Sequence, residues 1–309
     1  MKLLNINTPS YTRVQYANLE CQEKWQNKIN VGSKLYPSLE FLTVKHDVRK
    51  CMIIHDLDPN NLEVTMRNLS KQGLYLTPLA KEGSKSGNGF GHVSSGYNGG
   101  DYVYRAVIGK SIQDVEEFAH AHNTGDDIKI GELLGFPKKS SEFFDTNWKK
   151  GYFDPIWQQA DNTNGDMLKN KRDFLDKDGN VEKKLIRFKY NKDSHKISSV
   201  FRYVGIRVTS HFSSSFDEQE SIEVADNWIQ LAKDLRLRGL NEALEILQLP
   251  YEWDCYKGVA IVNTPVMKIV TSSMPCYPNH VIQQESDYYP EESPNGIVFP
   301  WKIKTSCKD

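Results

Sequence analysis

The chain has 309 residues, with 39 Lys+Arg against 40 Asp+Glu and a formal net charge of −1. Hydrophobic residues make up 39 % of it and the mean hydropathy is −0.58, the balance of a globular protein with a core and no membrane span. That charge balance excludes a strongly basic nucleic-acid binder and a polyacidic mimic, though not a local patch.

The opening MKLLNINTPSY turns polar almost at once, too early for a secretory signal, so a cytoplasmic location is expected. Residues 11–30 place Tyr16, Leu19 and Trp25 at helical spacing and predict a short helix. FLTV at 41–44 and CMIIHDL at 51–57 are apolar, β-branched runs that predict strands. Asp58-Pro59 opens a helix over 60–72, which Gly73 ends, and LYLTPLA at 74–80 is the next strand. Such a β-α-β unit ordinarily builds a parallel or mixed sheet. Residues 83–100 hold seven glycines in eighteen positions and form no regular element. DYVYRAVIG at 101–109 is a strand, and Ser111 with Asp114 has capping-box spacing for a helix to His122. A helix over 126–135 follows, then one capped by Ser140 or Ser141 that carries Phe143, Phe144 and Trp148.

Residues 160–183 are polar and predict a linker or insertion. LIRFKY and ISSVFRYVGIRVTSH, between 184 and 211, predict a long hairpin about the NKDSHK turn. Ile222, Ala225, Ile229 and Ala232 form one stripe of a helix over 218–236, and a second helix over 239–248 stops before Pro250. YKGVAIVNTP and VMKIVTSS are strands. From Pro275 onward five prolines alternate with Tyr277, Tyr288, Tyr289, Phe299 and Trp301, which rules out a long helix or a central strand. The reading is an α+β or α/β chain with mixed sheets and flanking helices. Its regions are 1–160, 161–183, 184–274 and an extended arm over 275–309.

The candidate chemistry is sparse. Cys21, Cys51, Cys255, Cys276 and Cys307 are odd in number and widely spaced, so neither a disulfide framework nor a thiol zinc site is expected. Reduced thiols, with Cys51 and Cys255 in strands, are the expectation. Gly87, Gly89 and Gly91 give only GxGxG, with His92 in the sixth place and a strand rather than a helix to follow, so a contact loop is favoured over a phosphate cradle. LDKDGNVEKKL puts Gly179 fourth from Asp176, wrong for a calcium loop.

His120, His122, Asp126 and Asp127 are the richest ligand set. Two histidines at i and i+2 on a helix point about 200° apart, so sharing a metal needs the helix to unwind at 123–125. The rival reading is a capped helix end. His211 precedes Ser213–Ser215 with no GxSxG elbow, and Lys257 reads as a solvated strand-end lysine. Residues 163–192 carry nine Lys+Arg against five Asp+Glu, net +4, a solvated stretch rather than a nucleic-acid face.

Ile130, Gly131, Leu133, Leu134, Gly135, Phe136, Pro137, Phe143 and Phe144 match an IGxLLGFPxCCxxFF pattern. The segment resembles one in uncharacterised phage and archaeal proteins. Here Lys139 and Ser140 stand where that pattern has its cysteine pair. Thiol or metal chemistry carried by such a pair is therefore absent, and the resemblance implies a retained scaffold with a binding role.

The leading expectation is a non-enzymatic, homo-oligomeric phage-type protein that sequesters or inhibits a host protein complex, including an antiviral one. Tyr277, Tyr288, Tyr289, Phe299 and Trp301 would make the contacts. No cofactor is expected, nor nucleic acid as the primary partner. The alternatives are a nucleotide- or nucleic-acid-modifying enzyme built on His120, His122, Asp126 and Asp127, and a structural virion component.

Overall fold

A computed structural model describes residues 12–83, 101–150, 159, 162–163, 168–169, 185–188, 193–254, 259–272, 280–284 and 301–305. In chain order its elements are β1 (Thr12–Tyr16), α1 (Leu19–Gly32), α2 (Leu35–Lys45), β2 (Cys51–Leu57), α3 (Leu62–Ser70), β3 (Tyr75–Gly83) and β4 (Tyr102–Gly109). Then come α4 (Ile112–Thr124), α5 (Asp127–Leu133), α6 (Lys138–Lys150), β5 (Leu168–Lys169) and β6 (Leu185–Phe188). The last are α7 (Gln219–Asp234), α8 (Leu240–Leu247), β7 (Tyr251–Asp254), β8 (Val259–Asn263), β9 (Met267–Ser272), β10 (His280–Gln284) and β11 (Trp301–Thr305). This is an α+β protein, and every strand pairing among the described residues is antiparallel. The chain forms two units: a larger one of 1–36, 151–274 and 279–309, and a smaller one of 37–150 and 275–278.

In the smaller unit the sheet order is β2-β4-β3. The predicted β-α-β unit is there, but β4 inserts between its two strands and runs antiparallel to both. The expected parallel or mixed sheet is thereby corrected to an antiparallel one. Both faces are covered. One side packs Val44, Met52, Leu57, Leu69, Leu74, Leu76, Ala106 and Ile108. The other packs Cys51, Val107, Val115, Phe118, Ala121, Ile130, Leu133 and Leu134. Burial on two faces explains why these strands read as continuous apolar runs.

FLTV is a correction of a second kind. It lies in α2, where Leu35, Tyr36, Leu39, Thr43 and Val44 are buried at steps of three and four, and this helical period overrides the β-branched composition. α6 begins at Lys138, so Ser140 and Ser141 sit inside its first turns instead of capping it. Ser141 Oγ donates to the Pro137 carbonyl at 3.2 Å. The motif GELLGFP owes its small residue to packing: a Cβ on Gly131 would stand 2.0 Å from Ser141 Oγ.

In the larger unit the sheet order is β1-β9-β8-β7-β6-β5. The helix expected over 11–30 is a strand followed by a helix. Thr12, Val14 and Tyr16 are buried at period two against β9, and Thr12 Oγ1 lies 2.8 Å from Thr271 Oγ1. Asn18 then caps α1, its side chain accepting from the Cys21 N–H at 2.8 Å.

The expected hairpin over 184–211 is also corrected. β6 pairs with β7 and β5. Residues 197–211 hold no strand. They follow one 3₁₀ turn, Ser194–Ile197, and contain another, Arg202–Val204. This irregular stretch is nonetheless core: Ile197, Val200, Phe201, Val204, Ile206 and Val208 are all nearly inaccessible. The first turn packs against α7 and α8, the second against β9. α7 and α8 match their predicted positions, and Trp228 is buried on the stripe.

Gly131→Ala forces a methyl group into Ser141 and should destabilise the chain by about 1–3 kcal/mol, the usual cost of overpacking, as read by chemical denaturation.

Candidate functional site

The densest polar geometry lies in the larger unit, around the HFSSSF segment and the start of α7. Glu218 stands at the helix N-cap. Its Oε2 accepts from the Ser214 N–H at 2.5 Å and from Ser221 Oγ at 3.1 Å. Ser221 Oγ also lies 2.8 Å from His211 Nε2. A hydroxyl has one O–H to donate, and Ser221 points it at Glu218. His211 Nε2 is therefore the donor, which fixes the ring as a neutral tautomer protonated at Nε2. Burial pushes the His211 pKa down to about 3.

This is the reverse of nucleophilic catalysis, where the imidazole must accept the serine proton. The chain of groups fastens a helix start to a loop. Gln159, Asn162 and Thr163 fasten the same loop. Gln159 Nε2 donates to Ser213 Oγ at 2.9 Å, Asn162 Nδ2 to the Ser214 carbonyl at 2.9 Å, and the Phe216 N–H to Thr163 Oγ1 at 2.9 Å.

The His/Asp set is placed by a helix junction. α4 runs unbroken through Thr124, so His120 and His122 stay helical, the first exposed and the second half-buried in the last turn. Gly125 closes the helix at φ 70, a left-handed position that favours glycine. Asp126 caps α5, accepting from the Lys129 N–H at 2.9 Å, and Asp127 is buried in its first turn. Among the described residues, no group of three His, Cys, Asp or Glu side chains is placed to hold a metal ion. Ser111 caps α4 as expected, and Ser111 Oγ also donates to Asp114 Oδ2 at 2.6 Å.

Cys51 lies in β2, buried, with Sγ donating to the Asp114 carbonyl at 3.5 Å. Burial, with Asp114 beside it, drives the thiol up to about 12, so it holds no thiolate at neutral pH. Tyr277, Tyr288, Tyr289, Phe299, Lys257, Cys255 and the Gly-rich stretch 84–100 lie outside the described residues. Trp301 is in β11, in register with Gln284 of β10.

One feature escaped the sequence reading. Arg105 and Glu82, both almost fully buried, form an ion pair between β4 and β3. Burial raises the Glu82 pKa against the pull of Arg105, and burial lowers that of Arg105 against Glu82. The signal was available: Arg105 is two residues from Val107, so alternation puts a charge in line with a core position.

Comparison with protein-family models, with curated proteins and with solved structures found no match to this chain. Its chemistry is therefore read from its own side chains.

Two outcomes follow from these environments. An unfolded imidazole takes up a proton near pH 6.5, but His211 in the folded chain does so only near pH 3. Between those values the unfolded state binds more protons. Acidification below pH 6.5 should thus cost about 1.4 kcal/mol of stability per pH unit through this group. Urea midpoints measured between pH 6.5 and 5 should fall in the native chain, and His211→Gln should flatten that part of the slope. Peptide mapping after iodoacetamide treatment should find Cys51 unmodified until the chain is unfolded.

Proposed function

We propose that this chain works by binding. It associates with itself and engages a protein complex of a host cell, sequestering or inhibiting it. The observation that carries this reading is that, among the described residues, Cys51, His211, Ser221 and Asp126 are already in use as structure. The Cys51 thiol is spent on a carbonyl. His211 is buried and neutral, and the Ser221 hydroxyl donates its hydrogen bond to Glu218. Asp126 holds a helix end. Groups so engaged are poor nucleophiles and poor bases at neutral pH.

The C-terminal arm supplies a surface for such binding. β10 and β11 pair with each other over five residue pairs and join neither larger sheet. A two-stranded ladder is marginal alone in water, so it gains stability when it lies against another surface. Five prolines over 275–309 reduce the entropy lost on ordering it, and the tyrosines, Phe299 and Trp301 offer contact area with few rotors. The resemblance of the segment over 130–144 to phage and archaeal proteins supports a host complex as the partner.

Light scattering on purified protein tests the self-association. The full chain should have a mass that is a multiple of 35.5 kDa. A chain lacking 277–309, with unchanged circular dichroism from its helices, should run as a monomer. A full chain that stays monomeric up to about 100 times a micromolar concentration, or an association untouched by the truncation, contradicts the reading.

A further inference from the structure

Three segments of the larger unit meet at the end of α1. A Cβ on Gly32 would stand 3.1 Å from the Ala243 amide nitrogen of α8 and 3.1 Å from Ile206 Cδ1. A Cβ on Gly205 would lie 3.0 Å from Ser33 Cβ, and one on Gly239 would collide with the Val31 carbonyl oxygen. These contacts bring 31–36, 205–207 and 236–239 together, and each segment carries a cation. Lys34, Arg236 and Arg238 are exposed, as is Lys233 at the end of α7. Arg207 is half-buried, its guanidinium carbon 3.7 Å from the centre of the Tyr36 ring. Two carboxylates lie close by in sequence: Asp234, which accepts from Gln230 at 2.7 Å, and Glu242 in the first turn of α8. Five cations against two carboxylates make a basic surface on a chain whose formal net charge is −1.

Arg236 stands there against the preference of its backbone. The Leu237 N–H donates to the Ala232 carbonyl at 2.8 Å and the Arg236 N–H to the Lys233 carbonyl at 3.0 Å. This closure of α7 puts Arg236 in the left-handed region at φ 53. Glycine ordinarily fills that position, as Gly125 does at the end of α4. Among the described residues, only Asp47 and Arg236 hold a positive φ without being glycine. Asp47 is engaged within the chain, in an ion pair with Lys110 at 2.7 Å. Among the described residues, no carboxylate is in ion-pair contact with Arg236 or Arg238. A side chain that the backbone disfavours and no internal ion pair uses is accounted for by a contact outside the chain.

We infer that the surface around Lys34, Arg207, Arg236 and Arg238 receives an acidic segment of a protein partner. This names a partner chemistry for the binding role proposed above and rests on that role. Guanidinium groups take carboxylates through two parallel hydrogen bonds. Leu235, 36 % exposed among the cations, adds the apolar contact that a protein surface can match. A nucleic acid shares the negative charge, but single strands are held by stacking on exposed aromatic rings. The ring on this surface, Tyr36, is buried beneath Arg207.

Fluorescence anisotropy at low salt tests this, with a labelled oligoglutamate peptide and a labelled oligothymidylate of equal charge as probes. The native chain should bind the peptide more tightly than the oligonucleotide. The double variant Arg236→Glu with Arg238→Glu should weaken peptide binding about tenfold or more, since it sets like charges against each other. Arg236→Gly should also weaken it while leaving Tm level or higher, because glycine suits the left-handed backbone. Peptide binding unchanged by the charge reversal overturns the proposal, as does tighter binding of the oligonucleotide. A lowered Tm in Arg236→Gly makes the arginine structural and overturns it too. The reversed chain should keep the native mass in light scattering, so loss of the peptide is read apart from any failure of self-association. A reversed chain that falls in mass places the surface between copies of the chain, against the proposal.

Discussion

Every backbone amide and carbonyl taken out of water needs a partner, and one buried stretch of the larger unit meets this demand without a helix ladder or a sheet. Residues 193–218 contain two short 3₁₀ turns and no strand, yet most of them are buried. A helix or a sheet would satisfy such a stretch through its own ladder. Here turn bonds within the stretch pair several amides, among them those of Lys196, Arg202, Val204 and Ile206, and the side chains of neighbours pair others. Glu218 takes the Ser214 amide, Thr163 takes the Phe216 amide, and Asn162 donates to the Ser214 carbonyl. His195 Nε2 meets Gln248, the residue that ends α8, at 3.2 Å, and Lys196 reaches Asp226 on α7 at 2.5 Å. Phe201 stacks edge-on against Tyr251 of β7 at 5.4 Å. The stretch is held to the helices by polar contacts and to the sheet by apolar ones.

The smaller unit solves the same problem conventionally. Its sheet is closed on both faces by helices, and its turns are capped by Ser111, Asp126 and Asp58. The exception is the buried Arg105–Glu82 pair. Such a pair adds little net stability over apolar residues of the same size, because both charges lose their water. It does penalise any slip of β3 along β4, since a slip would bury each charge alone. The irregularity between Pro78 and Ala80 makes that register worth fixing.

Much of the smaller unit was legible because its signals are local. Ser111 and Asp114 mark a helix start and Gly73 marks an end, and in the larger unit the stripe of Ile222, Ala225, Ile229 and Ala232 marks α7 in the same way. Where tertiary pairing decided the outcome, composition misled. TRVQY is a strand because β9 lies beside it, and FLTV is a helix because Leu35, Leu39 and Val44 share a buried face. ISSVFRYVGIRV has the composition of a strand, but it follows turns that pack against α7, α8 and β9, neighbours that sequence cannot place beside it. The polar cluster at Gln159, His211, Glu218 and Ser221 was invisible for the same reason. His211 was noted, but its partner Ser221 lies ten residues on, in α7, and Gln159, which holds Ser213, lies 54 residues upstream of that serine.

The account holds that side-chain partners, chief among them the Glu218 carboxylate, keep the 193–218 stretch closed and so commit its chemically capable residues to structure. Hydrogen exchange at the Ser214 and Phe216 amides tests this most directly. In the native chain both should exchange as slowly as the interior amides of α7, and Glu218→Gln should speed Ser214 while α7 stays protected. Exchange at both amides within seconds in the native chain would show the stretch to be open, and its serines and histidine available for chemistry.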